Sequence, residues 1–178
     1  MVNKDHILQQ LLSHFHPLGT IDIDDAGVVN VKGDVTLMDH VTHLPVQFGV
    51  VTGNFNCARR GLTTLKGAPR EVGKIFTCKQ NKLITLEGGP EKVESYNAVN
   101  NPLKNLDGLA QEIKGHVQFN YTENLPLLRT LVASQIWPFP DQFKLEAILN
   151  KYKQQGKAGA IKAAAELIKA GFKGNARW

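Results

Sequence analysis

The sequence predicts an α/β solenoid of about five turns, each about 20–22 residues long, stacked into a parallel sheet. An N-terminal helix plus β-hairpin cap and a C-terminal helical hairpin cap complete it. Three observations carry this prediction. A segment of twenty-one residues recurs almost without gaps. Within each copy apolar residues alternate as in a strand, and outside the copies the apolar spacing changes to that of a helix. On this division residues 1–32 form the N-terminal cap, 33–134 the solenoid, and 135–178 a C-terminal helical cap with a basic surface.

Residues 4–15 place Ile7, Leu8, Leu11, Leu12 and Phe15 on one helical face, with Asp5 in the first turn and Pro17 ending the helix. Ile21-Asp-Ile23 and Val29-Asn-Val31 alternate around Asp25-Ala26-Gly27, the pattern of a hairpin. Lys32-Gly33-Asp34 joins that hairpin to the first repeat, where it covers an edge otherwise open to pairing with other chains.

The repeat is clearest in three copies. Phe55-x-Cys57, Leu62, Leu65, Gly67, Pro69 and Val72 return as Phe76-x-Cys78, Leu83, Leu86, Gly88, Pro90 and Val93. They return again as Tyr96-x-Ala98, Leu103, Leu106, Gly108, Ala110 and Ile113. Fainter copies flank these, with Val35, Leu37, Val41 and Leu44 before and Val117, Phe119, Leu125 and Leu128 after, as a capped solenoid requires. Three residues beyond the second core position stands Arg60, Asn81 or Asn101. An Asn there turns its amide inward and satisfies backbone groups of the turn that leaves the strand. The Gly-x-Pro pieces leave room for only a short irregular segment on the convex side.

Val93-x-x-Tyr96-x-Ala98-x-x-Asn101-x-Leu103 follows the pattern L-x-x-L-x-L-x-x-N-x-L, so residues 33–131 resemble the leucine-rich-repeat family. The finer form, Asn-x-Leu-x-x-Leu-x-Gly-x-Pro with a following Val and Phe-x-Cys, is similar to the short leucine-rich repeats of tailed-bacteriophage proteins. That resemblance implies a phage-encoded inhibitor or modulator of a host defence protein, acting in the cytoplasm of an infected bacterium. Short repeats of this class also occur in bacterial effectors that are ubiquitin ligases. Their activity resides in a separate helical domain with a reactive cysteine, whereas Cys57 and Cys78 lie inside the repeat, so the activity is not implied.

After Leu131 the period is lost, and Trp137-Pro138-Phe139-Pro140 predicts a rigid elbow. Asp141 is the expected N-cap of a helix presenting Phe143, Leu145, Ile148, Leu149 and Tyr152. A second helix from about Lys157 to Ala170 presents Ala160, Ile161, Ala164, Leu167 and Ile168 inward and stops at Gly171. Phe172 and Trp178 are the expected anchors, and Glu166 is placed to pair with Lys162 or Lys169.

No apolar run has the length of a membrane span, and the N-terminus lacks the pattern of a secretory signal, so an intracellular protein is expected. The two cysteines are one repeat apart and read as stacked core residues. Neither His14-x-His16 nor His40-x-x-His43 brings a convincing third ligand. Asp22, Asp24 and Asp25 lack the glycine and distal glutamate of a calcium loop and read as a solvated turn. Neither a nucleophile elbow nor a phosphate loop is present. The expectation is a binding protein without cofactor, metal or catalytic centre, whose partner is another protein.

Two surfaces are candidates. Thr36, Asn56, Thr77, Asn97 and Gln118 alternate with core residues and so stack on the outer sheet face. Met38, Ala58, Lys79, Val99 and Asn120 run on one side of them, and Asp34, Asn54, Ile75, Ser95 and His116 on the other. Solenoids use such extended faces to grip proteins. The alternative is nucleic acid. Of the net charge of +5, all the surplus falls after residue 140, so Lys157, Lys162, Lys169, Lys173 and Arg177 are candidate phosphate contacts. Lys151 and Lys153 add to that charge, and Tyr152, Phe172 and Trp178 are candidate base-stacking groups.

Overall fold

A strand that buries one side chain in two needs a neighbour on each edge, and a chain that returns every twenty-one residues supplies both. The computed structural model describes residues 2–178 and is a β-solenoid of about six turns. Its strands are β1 (Phe15–Ile23), β2 (Val29–Leu37), β3 (Phe48–Val51), β4 (Phe55–Asn56), β5 (Glu71–Thr77), β6 (Lys92–Asn97), β7 (Glu112–Asn120) and β8 (Ala133–Phe139). All pairings are parallel except that of β1 with β2. β3 and β4 are two parts of one turn, both between β2 and β5. Helices are confined to the two ends: α1 (Lys4–His14), α2 (Phe143–Tyr152) and α3 (Gly156–Lys169), with 3-10 turns at Leu128–Val132 and Lys173–Asn175.

The core is a stack of equivalent residues. Val72, Val93 and Ile113 are buried in register, as are Phe55, Phe76, Tyr96 and Val117, and Cys57, Cys78, Ala98 and Phe119. Phe15, Phe48, Phe55, Phe76 and Tyr96 form one aromatic column with neighbouring centroids 5.0–5.7 Å apart. Turns approach so closely at the kink within each strand that a Cβ on Gly73 would fall on the carbonyl oxygen of Thr52.

The inward amide works as its position predicts. Asn81 Nδ2 donates to the carbonyls of Cys57 and Cys78, both at 2.9 Å, and its Oδ1 accepts from the N–H groups of Arg60 and Leu62. Asn101 Nδ2 donates to Cys78 and Ala98 and its Oδ1 accepts from Leu83. In the last turn a residue from far along the chain does similar work: buried Asn175 donates to the carbonyls of Thr122 and Leu125.

The ends differ from the sequence reading in several ways. The N-terminal hairpin is longer than Ile21–Val31, because β1 pairs with β2 from Phe15↔Leu37 to Ile23↔Val29. Its second strand is itself the first solenoid strand, so residues 32–34 are not a linker. Pro17 lies inside β1, where an edge strand tolerates a missing N–H. On α1, Leu11 is buried but Leu12 is exposed.

The expected elbow at Trp137-Pro138-Phe139-Pro140 is instead the end of β8. Val117 pairs with Ile136, Phe119 with Pro138 and Asn120 with Phe139, which adds a turn to the five expected. Pro138 is accommodated because β8 is the last strand. Its outer edge is closed by Asn150 of α2, whose Oδ1 accepts from Ile136 N–H and whose Nδ2 donates to Ile136 C=O, in place of a further strand.

The N-cap position of α2 is Gln142 rather than Asp141, and Phe143 points to solvent with 78% of its surface exposed. On α3 the inner face is Gly159, Ala160, Ala163 and Leu167, while Ile161 and Ile168 are exposed. The small side chains let α3 lie close to its neighbours, which a face led by two isoleucines would prevent. Phe172 packs edge-on against Tyr121, whereas Trp178 is mostly exposed. Glu166 pairs with Lys151 across the hairpin at 2.8 Å rather than with Lys162 or Lys169.

Candidate functional site

Parallel pairing fixes which outward side chains become neighbours. Thr36↔Asn56, Asn56↔Thr77, Thr77↔Asn97, Asn97↔Gln118 and Gln118↔Trp137 are successive register pairs. The five residues singled out in the sequence therefore form one row, and Trp137 extends it. With strands about 4.8 Å apart the row is about 24 Å long, roughly seven residues of extended chain. Asn97 Nδ2 donates to Gln118 Oε1 at 2.8 Å, so the middle of the row is a fixed amide surface.

The two flanking rows divide between support and exposure. Asn54 is engaged with Asp34 and with the backbone of Ile75, and two Asn54 donors hold the Asp34 carboxyl below the usual carboxylate range. These residues brace the sheet. Ser95 is buried, and its hydroxyl accepts from the His116 N–H and contacts His116 Nδ1 at 3.2 Å. That contact has the residue types of a nucleophile and base, but the serine oxygen is enclosed between strands and already bonded. His116 stacks on Trp137 with ring centroids 4.2 Å apart, and burial lowers its pKa.

On the other side Lys79 borders a groove of about 520 Å³ that the sequence did not reveal, while Asn120 stands behind it, bonded to Asn100 of its wall. Its floor includes Asn97, Val99 and Gln118, and its far wall is Trp137, Pro138 and Phe139. The near wall is a column of three residues with left-handed backbone, Arg59 (φ 61°), Gln80 (φ 57°) and Asn100 (φ 60°). Asn tolerates that conformation, whereas Arg and Gln carry a cost that glycine would avoid. Arg59 Nε donates to Gln80 Oε1, and Asn100 N–H donates to Asn120 Oδ1. The groove thus offers amides, the Arg59 and Lys79 cations and the Asp141 carboxylate beside a Trp–Phe wall.

The C-terminal basic residues are spread over α3, the last 3-10 turn and the tail beyond it. Lys157, Lys162 and Lys169 lie on α3, and Lys173 is in the last 3-10 turn. Arg177 donates to the carbonyls of Gly174 and Asn124, holding the C-terminus against the solenoid. Tyr152 donates its hydroxyl to Glu166. Among the described residues no group of three His, Cys, Asp or Glu side chains could hold a metal ion, and no helix is long and apolar enough to cross a membrane. The cysteines are buried and unpaired. No family model matches this chain, and neither a curated protein nor a solved structure matches it.

Proposed function

We propose that the chain is a protein-binding solenoid of leucine-rich-repeat type that captures an extended segment of a partner protein across its sheet face. The observation that carries this reading is the groove at the β8 end of the Thr36–Trp137 row. Extended chain needs donors and acceptors for its backbone and an apolar stop for a side chain, and Asn97, Gln118 and Asn100 beside Trp137 and Phe139 provide both. The left-handed column supports it independently, because Arg59 and Gln80 place side chains in the groove at a backbone cost. The groups facing the groove hold a ligand rather than transform one. A bacterial host protein as the partner, and a phage source for the chain, rest on the resemblance of the repeats alone.

The test is capture from nuclease-treated bacterial lysate, read by mass spectrometry, with wild type beside Asn97→Trp, Trp137→Ala and Gln80→Gly. A protein retained by wild type and lost with the first two variants is expected. Gln80→Gly should raise stability by about 1 kcal/mol through relief of the backbone while weakening capture. Capture indifferent to all three sheet-face changes would sink the proposal. Nucleic-acid binding is the second reading, and retained material that vanishes with nuclease and with added salt would favour it.

A further inference from the structure

The helical hairpin carries a repeat of its own. Reading along α2, Lys144-x-x-Ala147-Ile148-x-x-Lys151 faces Lys162-x-x-Ala165-Glu166-x-x-Lys169 of α3. Both segments border one open groove of about 880 Å³ between the helices. Seven residues are two helical turns, about 10.5 Å, so each rim holds two ammonium groups at the spacing of a heptad. Between the rims the floor is made by Ala147, Ile148, Ala165 and Ala170, small enough for a third helix to approach at the usual 8–10 Å between axes.

Charge selects the occupant. Of the four rim lysines only Lys151 has a carboxylate within 4.0 Å among the described residues, namely Glu166. Lys144, Lys162 and Lys169 are left to pair with something outside the chain. A phosphate backbone fits poorly, because Glu166 stands in the groove, and Tyr152, the aromatic side chain lining it, donates its hydroxyl to Glu166 and already carries the Lys151 ammonium over its ring, 5.0 Å from the centroid. A second copy of this chain would bring the same positive rims. We propose that the α2–α3 hairpin is a docking cleft for an amphipathic helix of a partner protein, with acidic side chains flanking its apolar stripe at seven-residue spacing. This surface is separate from the sheet face and does not depend on the reading of that face.

The probe is a fluorescein-labelled peptide of three heptads with Leu at a and d and Glu at e and g, titrated with the full chain by fluorescence anisotropy. A matched peptide carries Lys at e and g. The Glu peptide should bind and the Lys peptide should not, and binding should weaken about tenfold between low and physiological salt. Lys162→Glu/Lys169→Glu should lose the Glu peptide by about tenfold or more and gain the Lys peptide, with Lys144→Glu giving a smaller loss from the opposite rim. Ala165→Trp, which fills the floor and leaves every charge in place, should block the Glu peptide, and circular dichroism checks that each variant stays folded. The proposal is overturned if the Glu peptide binds no better than the Lys peptide, or if charge reversal does not transfer the preference. It is equally overturned if labelled duplex DNA or phosphatidylglycerol vesicles bind through these lysines while the Glu peptide does not.

Discussion

Replacing Asn81 by Ala tests the internal logic of the turn. The side chain is buried and makes four hydrogen bonds, two as donor and two as acceptor. At a net 0.5–1.5 kcal/mol each, their loss amounts to about 2–6 kcal/mol, and water entering the vacated space brings the expected value to about 3 kcal/mol. For a chain of this size that lowers Tm by roughly 10 °C. Asn101 makes three such bonds, so Asn101→Ala should cost about three-quarters as much. Equilibrium urea unfolding followed by circular dichroism gives both values, provided the m-value is unchanged. A loss below about 1 kcal/mol for Asn81→Ala, or a larger loss for Asn101→Ala, would refute the claim that these amides hold consecutive turns together.

Two further predictions concern titratable groups in the solenoid. Burial raises the Cys57 thiol well above its ordinary range and Cys78 to about 12, so a thiol reagent at pH 8 should label neither cysteine faster than the protein unfolds. Rapid stoichiometric labelling of the native protein would contradict their place in the core. Burial lowers the His116 pKa, so its stabilising contribution is complete above the ordinary value of 6.5 and is lost as pH falls from there through its lowered folded-state value. With Trp178→Phe removing the other indole, Trp137 emission should follow that protonation with a midpoint below 6.5, and a midpoint at or above it would break the link to burial.

The repeat was legible because geometry imposes it. A turn of fixed length must bring Phe76 over Phe55 and Thr77 beside Asn56, so the core columns and the polar row follow from spacing alone. What spacing could not reveal depends on partners distant in sequence. Pro138 and Pro140 read as an elbow because local preference opposes a strand there, and only the side chain of Asn150 and the register with β7 make β8 a strand. That hid Trp137 and Phe139, and with them the groove. Arg59 and Gln80 give no signal of left-handed backbone, unlike Asn100. On α3, apolar residues occupy both sides, so periodicity did not decide between the isoleucine face and the Gly159–Ala163 face. Asn175 lies fifty residues beyond the Leu125 carbonyl that it serves, outside any local pattern.

Parallel sheets usually assemble slowly, since each strand must wait for a partner far along the chain. In this molecule that partner arrives twenty or twenty-one residues later at every step, from Phe55 to Phe76 to Tyr96 to Val117. Such separations are about 0.12 of the chain length, at the border between helical bundles and mixed α/β domains rather than among β-sandwiches. A nucleus of two adjacent turns is therefore entropically inexpensive, and each new turn finds a finished edge waiting for it. The solenoid obtains the stiffness of a continuous parallel sheet without the long search that usually precedes one.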